Sequence, residues 1–136
     1  MNLEGLEVLT LQIKRDSFKK ILKGEQKVEH RFVYPRNAKQ YLVEKDNGDG
    51  TSDVEVVGYD ALQLINGRQK NAPRLLVQVI GIKVVQMDDE KTGEPLTFVD
   101  NGETYYVTQM QYELGEVLQT ENCEIFDGEQ EAHSDN

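Results

Sequence analysis

The 136-residue sequence has no tryptophan, one cysteine and two histidines, and each shortage narrows what the chain can be. With Cys123 alone, no intramolecular disulfide can form, and a zinc site of the multi-cysteine type is excluded. His30 and His133 stand too far apart in the chain to suggest a catalytic metal centre. No metal and no cofactor is therefore expected. No apolar run approaches the ~20 residues that a membrane-spanning helix needs. Residues 1–10 contain Glu4 and Glu7 but no Lys or Arg, which is unlike the basic start of a secretory signal. The expectation is a cytoplasmic protein without a membrane partner.

What the sequence has in excess is negative charge, unevenly spread. The net charge is −10, made up of +4 over residues 1–45, −8 over 46–120 and −6 over 121–136. A broadly acidic chain is a poor binder of duplex nucleic acid, whose affinity comes from neutralising phosphates. The basic first third leaves room for a small anionic ligand or a short single strand of RNA. The acidic segment 121–136 has no periodic apolar pattern and is expected to be a disordered tail following one domain over residues 1–120.

Short strands dominate the pattern. Leu6 to Ile13 reads as a strand buried on much of both faces. Asp16 offers an N-cap oxygen to a helix of about two turns whose apolar stripe is Phe18, Ile21 and Leu22. Lys19, Lys20 and Lys23 favour its C-terminal end, and Gly24 suits the left-handed residue that stops it. Lys27 to Tyr34 alternates with period two, and Pro35 ends it. Residues 46–53, Asp-Asn-Gly-Asp-Gly-Thr-Ser-Asp, form a turn. They are not an EF-hand loop, because Gly48 and Gly50 fall at ligand positions and Val57 stands where a Glu is required. Further strands are expected at 54–57, 61–65, 75–87 and 114–118, with Gly81 marking a bend. Asp100-Asn101-Gly102-Glu103 between two apolar runs is a type I′ hairpin signal. The fold class is α+β: about six strands and one or two short helices, with a partly closed barrel as the way to hide the strand edges.

The segment 21–31, Ile-Leu-Lys-Gly-Glu-Gln-Lys-Val-Glu-His-Arg, resembles the signature of the ASCH domains, a family of PUA-like β-barrels. That signature runs Gly-x-Lys-x-x-Glu-x-Arg from a helix end into a strand. Gly24, Glu29 and Arg31 are in register with it. The helix residues 18–22 and the run Leu114 to Leu118 also resemble the family, and the likeness is strongest over residues 7–34. It implies a PUA-like barrel that binds RNA or a nucleotide. Some relatives remove the acetyl group from acetylated cytidine through the lysine of the signature. Here Gln26 occupies that position and Lys27 follows it. A glutamine is neither a nucleophile nor a general base.

Read without the resemblance, Lys27, Glu29 and Arg31 share one strand face, where two cations and an anion could hold a polar ligand. The plainer reading is a solvated face with weak ion pairs. The facing argument puts Val28, His30 and Phe32 toward the core and the three charges toward a cleft beside the helix end. Tyr59, Tyr105 and Tyr106 are further candidates for stacking on a base. The expected function is thus an ASCH-like module that binds RNA or a nucleotide through Lys27, Glu29 and Arg31. One alternative is an amidohydrolase acting on an acetylated cytidine nucleoside, with Lys27 and Glu29 as catalytic candidates. Another is a protein-interaction or regulatory module working through the acidic segment. Cys123, among acidic neighbours, is expected to have a raised thiol pKa and no nucleophilic role.

Overall fold

The computed structural model describes residues 3–127. The element order is β1 (Val8–Gln12), α1 (Arg15–Leu22), β2 (Val28–Val33), α2 (Ala38–Tyr41), β3 (Leu42–Asp46), β4 (Ser52–Val56), β5 (Ala61–Ile65), β6 (Arg74–Gln86), β7 (Thr97–Asp100), β8 (Glu103–Tyr106), β9 (Thr108–Glu121) and a 3-10 turn (Glu124–Phe126). The chain divides into two compact units, and each is built from separated stretches of sequence. In described residues the first comprises 3–27, 59–80 and 113–127, and the second 28–58 and 81–112. The long strands β6 and β9 run from one unit into the other, and the change of unit within β6 falls at Gly81.

In the first unit, β1 pairs in parallel with β5, Val8 opposite Ala61, and β5 pairs antiparallel with β6, Ala61 opposite Gln78. Alternation sends Leu9 and Leu11 of β1 to one face, joined there by Leu62 and Leu64 of β5 and Leu75 and Val77 of β6. β1 is buried on one face only, since Val8, Thr10 and Gln12 are exposed. The α1 stripe adds Phe18 and Ile21, and the 3-10 turn after β9 adds Phe126, whose ring stacks on Phe18 at 5.2 Å. An eight-residue helix is marginal in isolation, so this docking is what makes α1 persist. Its N-cap is Lys14, which makes no side-chain capping bond, and Asp16 falls inside the first turn rather than at the cap. Gly24, with φ +77°, closes the C-terminal end and donates its N–H to Ile21.

In the second unit, α2 leads into an antiparallel ribbon of β3 and β4, Leu42 opposite Val56, exposed over nearly its whole length. Its core includes Tyr41, Met110 and Tyr112. β7 and β8 form the expected hairpin, Asp100 opposite Glu103. Asn101 and Gly102 both have positive φ, 52° and 81°, as a type I′ turn requires.

The sheets are not closed into a barrel. The largest has the order β1-β5-β6-β9-β2, and β3-β4 and β7-β8 are separate two-stranded sheets. The expected closure needed every short strand to join one sheet. β3, β4, β7 and β8 instead satisfy one another in pairs, so no strand remains to join the sheet's two edges. The expected tail from Glu121 is also corrected in its first part. β9 runs to Glu121, and Phe126 is only 2% exposed. One aromatic ring gives this acidic stretch the apolar area it was expected to lack. The remainder, residues 128–136, and His133 with it, lie outside the described residues.

Replacing Phe126 with Ala is expected to cost about 3–5 kcal/mol, as for a fully buried ring, while the same change at Val99, 70% exposed, stays near zero. Thermal melts of both variants beside the parent check this.

Candidate functional site

β2 carries the residues singled out in the sequence, and it faces the opposite way from expectation. Glu29 is buried at 6%, Arg31 and Val33 are half-buried, and His30 and Phe32 are exposed, Phe32 at 42%. The carboxylate of Glu29 accepts a bond from Arg31 Nη2 at 3.2 Å, with side-chain exposures of 8% and 25%. The facing argument treated each charge as a separate burial cost. Residues two apart on a strand share a face, so Glu29 and Arg31 neutralise one another there. The Arg31 side chain keeps a quarter of its surface exposed.

Lys27 belongs to the first unit and is exposed. Its ammonium is 3.6 Å from where a Cβ on Gly24 would lie. The turn after α1 is held by the N–H groups of Glu25 and Gln26, both donating to the carbonyl of Lys20. The structure therefore brings Glu29 and Arg31 together as an ion pair, and describes Lys27 as an exposed residue in the turn before them.

A cavity of about 480 Å³ does lie beside the C-terminal end of α1, but its lining is Leu22, Lys23, Thr120, Asn122, Cys123, Glu124, Phe126 and Asp127. None of the three expected residues is among them. A second concavity, about 380 Å³, combines Lys19, Lys20 and Lys23 with Asp16 and Glu25, so its charge is mixed. The Cys123 thiol is half-buried and donates to the carbonyls of Arg74 and Glu121 at 3.4 and 3.3 Å. Burial pushes its pKa up, and the carboxylates of Glu124 and Asp127 add to the effect. Among the described residues, no group of three or more His, Cys, Asp or Glu is placed to hold a metal ion.

Of the tyrosine candidates, Tyr59 is half-buried, and burial followed by the charge of Glu7 raises its pKa. The carboxylate of neighbouring Asp60 accepts the N–H of Glu7 at 2.9 Å. That pair of residues joins the start of β1 to β5. Tyr105 belongs to a ladder of rings in the second unit. It stacks on Phe98 at 5.6 Å and 25°, and Phe98 meets Tyr34 edge-on at 5.6 Å. The guanidinium of Arg36 sits 4.7 Å from the centre of the Tyr34 ring. The sequence reading missed Tyr34, Arg36 and Phe98. Their only sequence signal is aromatic residues beside a Pro-Arg step and in the facing hairpin, and nothing in residue spacing joins positions 34 and 98.

Arg31→Met is expected to destabilise by about 2–4 kcal/mol, because a buried carboxylate loses its partner. Glu29→Leu combined with Arg31→Met should recover most of the loss in urea melts. For Cys123, the rate of alkylation by iodoacetamide should rise with pH along a curve displaced to higher pH than that of a free cysteine peptide. A curve at or below the free thiol would contradict the burial of the sulfur.

No family model matches this chain, and neither the curated proteins nor the solved structures gave a match.

Proposed function

We propose that the chain is a binding module of the ASCH-like kind, taking a nucleotide or a short single strand of RNA through Arg31. The observation that carries this reading is the pairing of Arg31 with a buried carboxylate, Glu29, while the arginine side chain remains a quarter exposed. A surface ion pair is worth little, and a buried carboxylate is costly to keep in a strand unless it positions something. Glu29 holds the guanidinium in one orientation at the solvent boundary, and a planar fork suits phosphate oxygens or a base edge. Lys27, four residues earlier and exposed, is a second cation in the same stretch of chain. Binding rather than catalysis is favoured because Gln26 stands where the family signature has its lysine.

The test is titration with hexauridylate, followed by the amide and side-chain NMR signals of Lys27, Glu29 and Arg31. Those signals should move, and Arg31→Ala should weaken binding about tenfold, or about 1.4 kcal/mol. Affinity should fall with salt at a logarithmic slope of about −0.7 per phosphate contact. Signals at all three residues that ignore the oligonucleotide would sink the reading.

A further inference from the structure

The Tyr34–Asn37 turn after β2 carries an arginine, Arg36, that has no carboxylate partner among the described residues. The chain carries 25 Asp and Glu. Arg36 is exposed, and among the described residues its guanidinium rests on the Tyr34 ring instead of on an acid. The turn beneath it is braced. Asn37 accepts the N–H of Tyr34 through its side-chain oxygen at 2.7 Å, donates its amide to the Phe32 carbonyl at 3.2 Å, and gives its own N–H to the Tyr34 carbonyl at 3.0 Å. Pro35, between them, has a fixed φ. Tyr34 is held in turn by Phe98, and Phe98 by Tyr105.

The ladder has a polarity. Its Arg36 end is cationic. At the other end Tyr105 donates its hydroxyl to Glu103 at 2.8 Å, with Asp100 also close enough to raise the phenol's pKa. An anion is drawn to the first end and repelled from the second. A guanidinium stacked on a ring keeps two means of recognition: its outer face, on which another planar group can lie, and its N–H edge, which can reach phosphate oxygens. A nucleotide offers both kinds of group in one molecule.

We propose that Arg36, braced on Tyr34, is a nucleobase-stacking site. The base lies on the face of the guanidinium turned away from Tyr34, and the phosphate meets the edge of the same guanidinium. The choice of ligand rests on the reading of Arg31 given above, but the residues are different. Arg36 is five positions beyond Arg31, at most about 17 Å along an extended chain, so a strand of several nucleotides can reach both.

The experiment uses the full chain with hexauridylate and with a base-free ribose-phosphate chain of equal charge, reading the Arg36 Nε–H and the Tyr34 ring protons. Hexauridylate should shift both, and the base-free chain should leave the Tyr34 ring unmoved. Arg36→Lys, which keeps the charge but removes the plane, should lose about tenfold in affinity and abolish the ring shift. If Arg31 responds while Arg36 and Tyr34 do not, the stacking site is overturned and the Arg31 reading stands. If Arg36 and Tyr34 respond while Arg31 does not, the stacking site stands and the Arg31 reading falls. Equal ring shifts with both probes, or undiminished binding by Arg36→Lys, would also overturn the stacking site. Silence at every position overturns both.

Discussion

An eight-residue helix does not hold itself together in water, and the first unit depends on how that deficit is met. Phe18 and Ile21 of α1 are buried almost completely, and Phe126 stacks on Phe18 from the far end of the described chain. The parallel pair β1–β5 and the antiparallel pair β5–β6 present the apolar face that the unit buries. Without the ring at 126 the helix would lose an aromatic neighbour, and Arg15, which lies 4.9 Å from the centre of that ring, would lose its platform. The turn through Gly24 into β2 starts from the end of this helix. The residues that carry the functional reading therefore follow directly from an element stabilised by a distant side chain.

Much of the fold was legible because it is local. The hairpin at Asn101-Gly102 follows from two residues that tolerate positive φ between runs of alternating residues. The helix follows from a stripe at positions 18, 21 and 22, and β5 from a short apolar run. What was not legible depended on pairing. The facing of β2 was inverted because each charge was weighed alone, whereas Glu29 and Arg31 go inward together. Closure of the sheet depended on which strands choose which partners, and β3 with β4 and β7 with β8 form private ribbons that leave it open. The role of Phe126 was hidden for the opposite reason: a single ring in an acidic stretch makes no periodic signal.

The candidate site shows the same division. Arg31 and Glu29 could be named from their alternation along a strand, although their environment could not. The ladder of Arg36, Tyr34, Phe98 and Tyr105 could not be named at all, because it joins a turn at position 34 to a hairpin more than sixty residues later. Tyr105 alone was singled out, for its residue type and not for its neighbours. A cation resting on a ring also leaves no trace in a charge count, where Arg36 is one of 15 basic residues against 25 acidic ones.

The interleaving of the two units bears on how the chain is made. Phe18 leaves the ribosome about a hundred residues before Phe126, the ring it stacks on. At roughly 5–20 residues per second, that is an interval of about 5–20 s. Throughout it, the apolar stripe of α1 and the inward face of β1 lack the last piece of their core. Contacts of such long sequence separation form slowly once the chain is complete. The nascent first unit thus presents Leu9, Leu11, Phe18 and Ile21 to whatever it meets before synthesis has passed position 126. A chain halted after β8 would carry that surface without Leu114 or Phe126 to cover it.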